Sequence, residues 1–154
     1  MKQVYLKNIA LDVKSGSIVI IITVVDSVEY VPIWIGNAEA LAIVLGEKGM
    51  KTARPMTHDL MLSMIDGFGG RLDKVVISGY RDETFYALVY IEDGEKIIVL
   101  DARPSDSIAL AIRANVSIFI DDGLKTINPE FDVEEDEAIW SNLKIINTDD
   151  FITG

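Results

Sequence analysis

Ser17-Ile18-Val19-Ile20-Ile21-Ile22-Thr23-Val24-Val25 is the one long apolar run of the chain, and its chemistry decides the fold class. Every residue after Ser17 is β-branched, which stiffens the side chain and favours pleated backbone over helix. The run is far shorter than the ~20 residues a helix needs to cross a bilayer. It is apolar on consecutive positions instead of alternating, so both of its faces must be covered, either by helices of this chain or by another subunit. A central β-strand is predicted here. Upstream, Val4, Leu6, Ile9, Leu11 and Val13 supply an earlier strand that turns at Ser15-Gly16, and downstream Asp26–Glu29 turns into a third strand, 30–35.

Beyond this opening the period changes. Residues 38–48 read as a helix with Leu41, Val44 and Leu45 on one side, stopped by Gly46 and Gly49. A second helix runs from Thr57, its expected N-cap, to about Phe68, with Met61, Met64, Ile65 and Phe68 as the buried stripe. Three more strands follow at 72–78, 84–91 and 96–100, the last two joined through Asp93-Gly94, a strong hairpin signal. A third helix, from Pro104 or Ser105 to about Ala114, turns Ile108, Ala111 and Ile112 inward and precedes a short strand at 117–120. The order of elements gives α+β, a mixed and largely antiparallel sheet with three main helices packed on it.

Charge divides the chain unevenly. Lys and Arg number 14 against 25 Asp and Glu, a net charge of -11. Residues 1–127 hold 13 basic and 17 acidic side chains, whereas 128–154 hold 1 and 8. The reading is a body, 1–127, and an acidic C-terminal tail, 128–154. The tail is expected to be helical and docked through Ile139, Trp140, Leu143 and Ile146, with Glu130, Asp132, Glu134, Glu135, Asp136 and Glu137 near its start. Such acidity excludes a generic nucleic-acid coat, which needs cations to neutralise phosphates. There is no Cys, hence no disulfide, thiolate zinc site or cysteine nucleophile, and one His cannot build a His-rich metal cage. The first residues run straight into patterned sequence without the zones of a secretion signal, so a cytoplasmic protein with no membrane segment is expected.

Two polar constellations carry the candidate chemistry. Ala53-Arg54-Pro55 and Ala102-Arg103-Pro104 each lead into a helix start, where unpaired backbone donors meet a cation. In the first, His58 borders the apolar stripe and reads either as a packed histidine or as a general acid or base, with Asp59 beside it. In the second, Asp101, Arg103 and Asp106 lie close along the chain, with Arg113 two turns later. Two carboxylates suit a hard divalent cation and forked guanidinium groups suit phosphate, but the same residues also read as an Arg–Asp network pinning helix starts to the sheet. Phosphate-loop, dinucleotide and nucleophile-elbow templates are absent.

Four segments resemble the bifunctional nuclease domain family: Val31-Pro32-Ile33-Trp34-Ile35-Gly36 with Glu39-Ala40, then Arg54-Pro55-Met56-Thr57-His58-Asp59-Leu60, then Asp82-Glu83-Thr84-Phe85-Tyr86-Ala87, then Asp101-Ala102-Arg103-Pro104-Ser105-Asp106-Ser107-Ile108-Ala109-Leu110-Ala111. The resemblance implies hydrolysis of phosphodiester bonds in RNA and DNA, with nucleic acid as the partner. On these positions we place His58, Asp59, Asp101 and Asp106 as catalytic residues. Arg54, Arg103, Arg113 and Glu39 are placed toward substrate, and Asp101 and Asp106 toward a divalent metal, Mg2+ or Mn2+. The competing readings are a non-catalytic module for a small anionic ligand and an oligomeric scaffold, and a homo-oligomer, a dimer first, is the expected assembly.

Overall fold

The computed structural model describes residues 1–153. The elements run β1 (Lys2–Asp12), β2 (Ile18–Val24), β3 (Tyr30–Ile35), α1 (Asn37–Glu47), α2 (Thr57–Gly67), β4 (Arg71–Arg81), β5 (Thr84–Glu92), β6 (Ile97–Ala102), α3 (Pro104–Ala114), β7 (Ile118–Ile120), α4 (Val133–Trp140), β8 (Leu143–Ile145) and α5 (Thr148–Thr153). The class is α+β. The sheet has the order β3-β2-β1-β7-β4-β5-β6, with β8 added on β1 beyond the reach of β7. Every pairing is antiparallel except β4 with β7, which closes the crossover through α3. Among the described residues no helix is long and apolar enough to cross a membrane.

All seven residues of β2 are buried, as the Ile/Val run requires. Successive side chains leave a strand on opposite faces, and two separate clusters take them up. Ile18, Ile20, Ile22 and Val24 enter the main core with Ile43 and Val44 of α1 and Ile108 and Leu110 of α3. Val19 and Ile21 join Tyr30 and Ile127 under Ile139, Trp140 and Leu143. The second face is thus covered by the chain's own C-terminal segment rather than by another subunit.

That segment is not one helix. Residues 139, 140, 143 and 146 sit at helical spacing, yet α4 ends at Trp140 and Leu143 passes into β8, paired with Asp12 of β1. The free edge of β1 beyond β7 offers unpaired ladder groups, and satisfying them outweighs one further helical turn. Helix α2 also differs from its reading. Met61, Met64 and Phe68 face solvent, Phe68 at 88% exposure, while His58 is buried and Leu62 and Ile65 pack on the core. Positions 58, 62 and 65 form an equally periodic stripe, and contact with α3 selects it. Thr57 is the first helical residue and not the cap. Met56 takes the cap position, and its N–H donates to Asp59 Oδ2 at 2.9 Å.

Candidate active site

Helices α1, α2 and α3 begin after Gly36, Met56 and Arg103, and each carries an acid at its third position: Glu39, Asp59 and Asp106. An acid there is favoured by the unpaired N–H groups and the positive end of the helix dipole. Side-chain bonds draw the three starts together. Arg103 donates from Nε to Asp106 Oδ2 at 2.7 Å, from Nη2 to Asp106 Oδ1 at 3.1 Å, and from Nη1 to Glu39 Oε1 at 3.0 Å. His58 Nε2 lies 2.9 Å from Asp106 Oδ1, and a carboxylate partner assigns the proton to that nitrogen. The chain Glu39–Arg103–Asp106–His58 therefore links all three helix starts.

Its electrostatics follow from these contacts. Burial pushes the Asp106 carboxyl up, but the bonds from Arg103 and His58 more than offset this and hold it below the usual carboxylate range. Glu39 is held low first by its own backbone N–H and then by Arg103. Bonds to Asp106 and Glu39 raise Arg103 further, so it stays charged at any ordinary pH. A guanidinium has five N–H groups and three are engaged here, leaving two for an incoming anion. The Arg103 side chain is 63% exposed, whereas that of His58 is 10% exposed.

The second acid–arginine pair does different work. Arg113 donates from Nε to Asp59 Oδ1 at 3.1 Å and from Nη1 to the Ala109 carbonyl at 3.1 Å, with only 9% of its side chain exposed. It ties α3 to the start of α2. Gly46 of α1 makes room, since a Cβ there would lie 2.8 Å from Arg113 Nη1. The placement of Asp59 and Arg113 supports a framework role rather than the catalytic and substrate roles expected of them. Arg54 lies exposed on the loop before α2, with no side-chain ion pair among the described residues.

Asp101 is not brought to the cluster. Along β6, Ile98 and Ala102 pack on the main core, so Asp101 leaves the opposite face with Ile97 and Val99. Asp106 meanwhile is engaged through both oxygens, with the Arg103 charge already beside it. Among the described residues no group of three or more His, Asp or Glu side chains is arranged to hold a metal ion. The donor set therefore does not fit the divalent ion expected at Asp101 and Asp106.

Beside Arg103 opens a cavity of about 780 Å³ that runs along β3 and is also lined by Glu39, Tyr80, Phe85, Leu124 and Ile139. Its aromatic residues, Trp34, Tyr80 and Phe85, were given no role from sequence. An indole two residues after a proline within a strand-like segment was the available signal.

The profile of the bifunctional nuclease domain matches residues 20–127, most of the chain. The chain belongs to the bifunctional nuclease domain family. Every residue of the Glu39–Arg103–Asp106–His58 network lies inside the matched span. The relatives include an uncharacterized protein of Mycobacterium tuberculosis, 41% identical over 95 residues, covering 62% of this chain and 56% of that protein. Bifunctional nuclease 2 of Oryza sativa subsp. japonica is 28% identical over 109 residues, covering 64% of this chain and 33% of the plant protein. Bifunctional nuclease 2 of Arabidopsis thaliana is 24% identical over 106 residues, covering 63% and 32%. This chain thus matches about half the length of the mycobacterial protein and about a third of the plant ones.

Proposed function

We propose that this bifunctional nuclease domain hydrolyses phosphodiester bonds of RNA or DNA at the junction of its three helix starts. The observation that carries the reading is the convergence of three positive helix ends on the Glu39–Arg103–Asp106–His58 network, whose Glu39 and Arg103 line an open cavity. A phosphodiester approaching there meets the two remaining Arg103 N–H groups, which stabilise charge on the phosphoryl oxygens as water attacks. His58, fixed by Asp106 through Nε2, takes the proton of the attacking oxygen on Nδ1. Phosphorus–oxygen cleavage releases the leaving oxygen, which collects a proton from solvent. Glu39 holds Arg103 in place. Arg54, on the exposed loop before α2, supplies a further phosphate contact.

Asp101 lies on the opposite face of β6 from Ile98 and Ala102, so in this reading the residues of the network perform the reaction without it. The test uses purified protein and end-labelled RNA and DNA, with and without EDTA. Cleavage is expected to survive EDTA and to fall by roughly 10²–10³ in Arg103→Ala. Loss in EDTA with recovery on Mg2+ would assign a metal held by other groups. No cleavage, together with saturable binding of inorganic phosphate, would favour the rival reading of a small-anion module. Sedimentation decides the assembly proposed with it, a homodimer at twice 17.0 kDa or a single chain.

A further inference from the structure

Strand β3 is an edge of the sheet, and its register tells which backbone groups face outward. Tyr30 exchanges both of its backbone hydrogen bonds with Ile127 on the outer side, so Pro32 and Trp34, two and four residues on, also turn their backbone groups away from β2. This explains why a proline sits in the strand: its missing N–H would have pointed off the sheet. What remains on the open edge is the Pro32 carbonyl and the Trp34 N–H and carbonyl, one donor and two acceptors along the wall of the 780 Å³ cavity.

Aromatic faces stand beside this polar edge. Trp34 is 45% exposed and its indole N–H donates to Asp12 Oδ2 at 2.9 Å, which fixes the ring. That bond is the main reason the Asp12 carboxyl stays below its usual range. Tyr80, which also lines the cavity and is 53% exposed, packs against Phe85 with ring centroids 4.6 Å apart and planes tilted by 51°. Charge sorts what can enter. Asp12, Glu39, Glu83 and Glu135 line the cavity against Arg103 and Lys125, and Lys125 is paired with Glu135. A sugar-phosphate backbone is repelled from such an interior, whereas an uncharged ring is not.

We propose that the cavity along β3 is a nucleobase subsite. It takes one unpaired base of the substrate strand between Trp34 and the Tyr80–Phe85 pair, while the adjoining phosphate stays outside at Arg103. The volume lies within the range of small-ligand sites. A base edge finds donor and acceptors on the β3 backbone, and stacking makes no demand on base identity. The subsite makes the substrate single-stranded, because a base held in a duplex stack cannot reach it. A peptide strand added to the β3 edge is disfavoured, since Ile127 already closes the edge at Tyr30 and only a few residues remain open. This inference rests on the nucleic-acid reading above and specifies its substrate.

The test separates binding from cleavage. In Trp140→Phe the only tryptophan is Trp34, and its fluorescence is titrated with a short single-stranded oligodeoxynucleotide, the same strand in a duplex, and an abasic strand of equal length and charge. Saturable quenching by the single strand is expected, with at least about tenfold weaker response to the other two and a similar loss in Tyr80→Ala added to that background. Tyr80 is exposed, so circular dichroism readily confirms that this variant folds. Equal response to the abasic strand, or no response in a protein that still cleaves, overturns the subsite alone. Base-dependent quenching in a protein that never cleaves keeps the subsite and rejects the nuclease reading. Quenching by an unstructured peptide instead of the oligonucleotide would make the edge a peptide groove and overturn the proposal.

Discussion

Replacing Asp106 by Asn keeps the shape of the side chain and removes its charge, which the structure places under three hydrogen bonds from charged or chargeable partners. A hydrogen bond to an ion is worth about 1 kcal/mol more than a neutral one, so the upper bound is ~3 kcal/mol. A quarter of the Asp106 side chain is exposed, and water screens part of that, leaving ~1–2 kcal/mol. For a chain of this size the melting temperature should fall by about 3–8 °C. The acid limb should change as well. The folded Asp106 carboxyl sits below its unfolded value of 3.8, so its contribution is present above about that pH and disappears as pH falls through the lower folded value. Asn lacks this step, so the gap between wild type and Asp106→Asn should close in strongly acidic solution. Loss of His58 alignment should lower cleavage of labelled oligonucleotide by roughly 10²–10⁴ at temperatures where both proteins are folded. Cleavage within twofold of wild type, with the melting shift as stated, would show that Asp106 only pins the helices.

The framework pair should behave oppositely. Asp59→Ala leaves Arg113 buried without its carboxylate and the Met56 N–H uncapped, which should cost ~3 kcal/mol by chemical denaturation while cleavage stays within twofold. Ile21→Ala, in the cluster beneath the C-terminal segment, should cost ~2–5 kcal/mol, and a smaller loss would mean that Val19, Ile21 and Trp140 do not form a packed second layer. Glu83 sits at φ 60 in the two-residue β4–β5 turn, so Glu83→Gly should gain about 0.5–1 kcal/mol in thermal unfolding. Destabilisation there would reject the strained-turn assignment.

Much of this architecture was legible because two periods dominate the sequence. The consecutive β-branched residues of β2 required cover on both faces, and the switch to helical spacing marked α1, α2 and α3 close to their observed limits. What sequence could not choose was between equal alternatives. Helix α2 holds two apolar stripes, and only its contact with α3 turns His58, Leu62 and Ile65 inward and leaves Met64 outside. The C-terminal residues fit a helical face equally well, yet an unpaired edge of β1 draws them into β8. At the candidate site, proximity along the chain grouped Asp101 with Asp106, but strand alternation sends Asp101 to the far face. Arg113 and Asp59 looked like chemistry and are placed as a tie between helices. The aromatic cavity has no local signature in sequence, because its walls come from six separate stretches of the chain, between Asp12 and Leu143.

The central claim is that His58 moves the proton in phosphodiester cleavage at the junction of the three helix starts. His58→Gly removes the imidazole and leaves a space of its own shape beside Asp106, so imidazole added to the assay can take its place. The account predicts that His58→Gly loses cleavage by roughly 10²–10⁴, and that imidazole restores it with a saturable, pH-dependent rate. Full cleavage by His58→Gly without imidazole would contradict it.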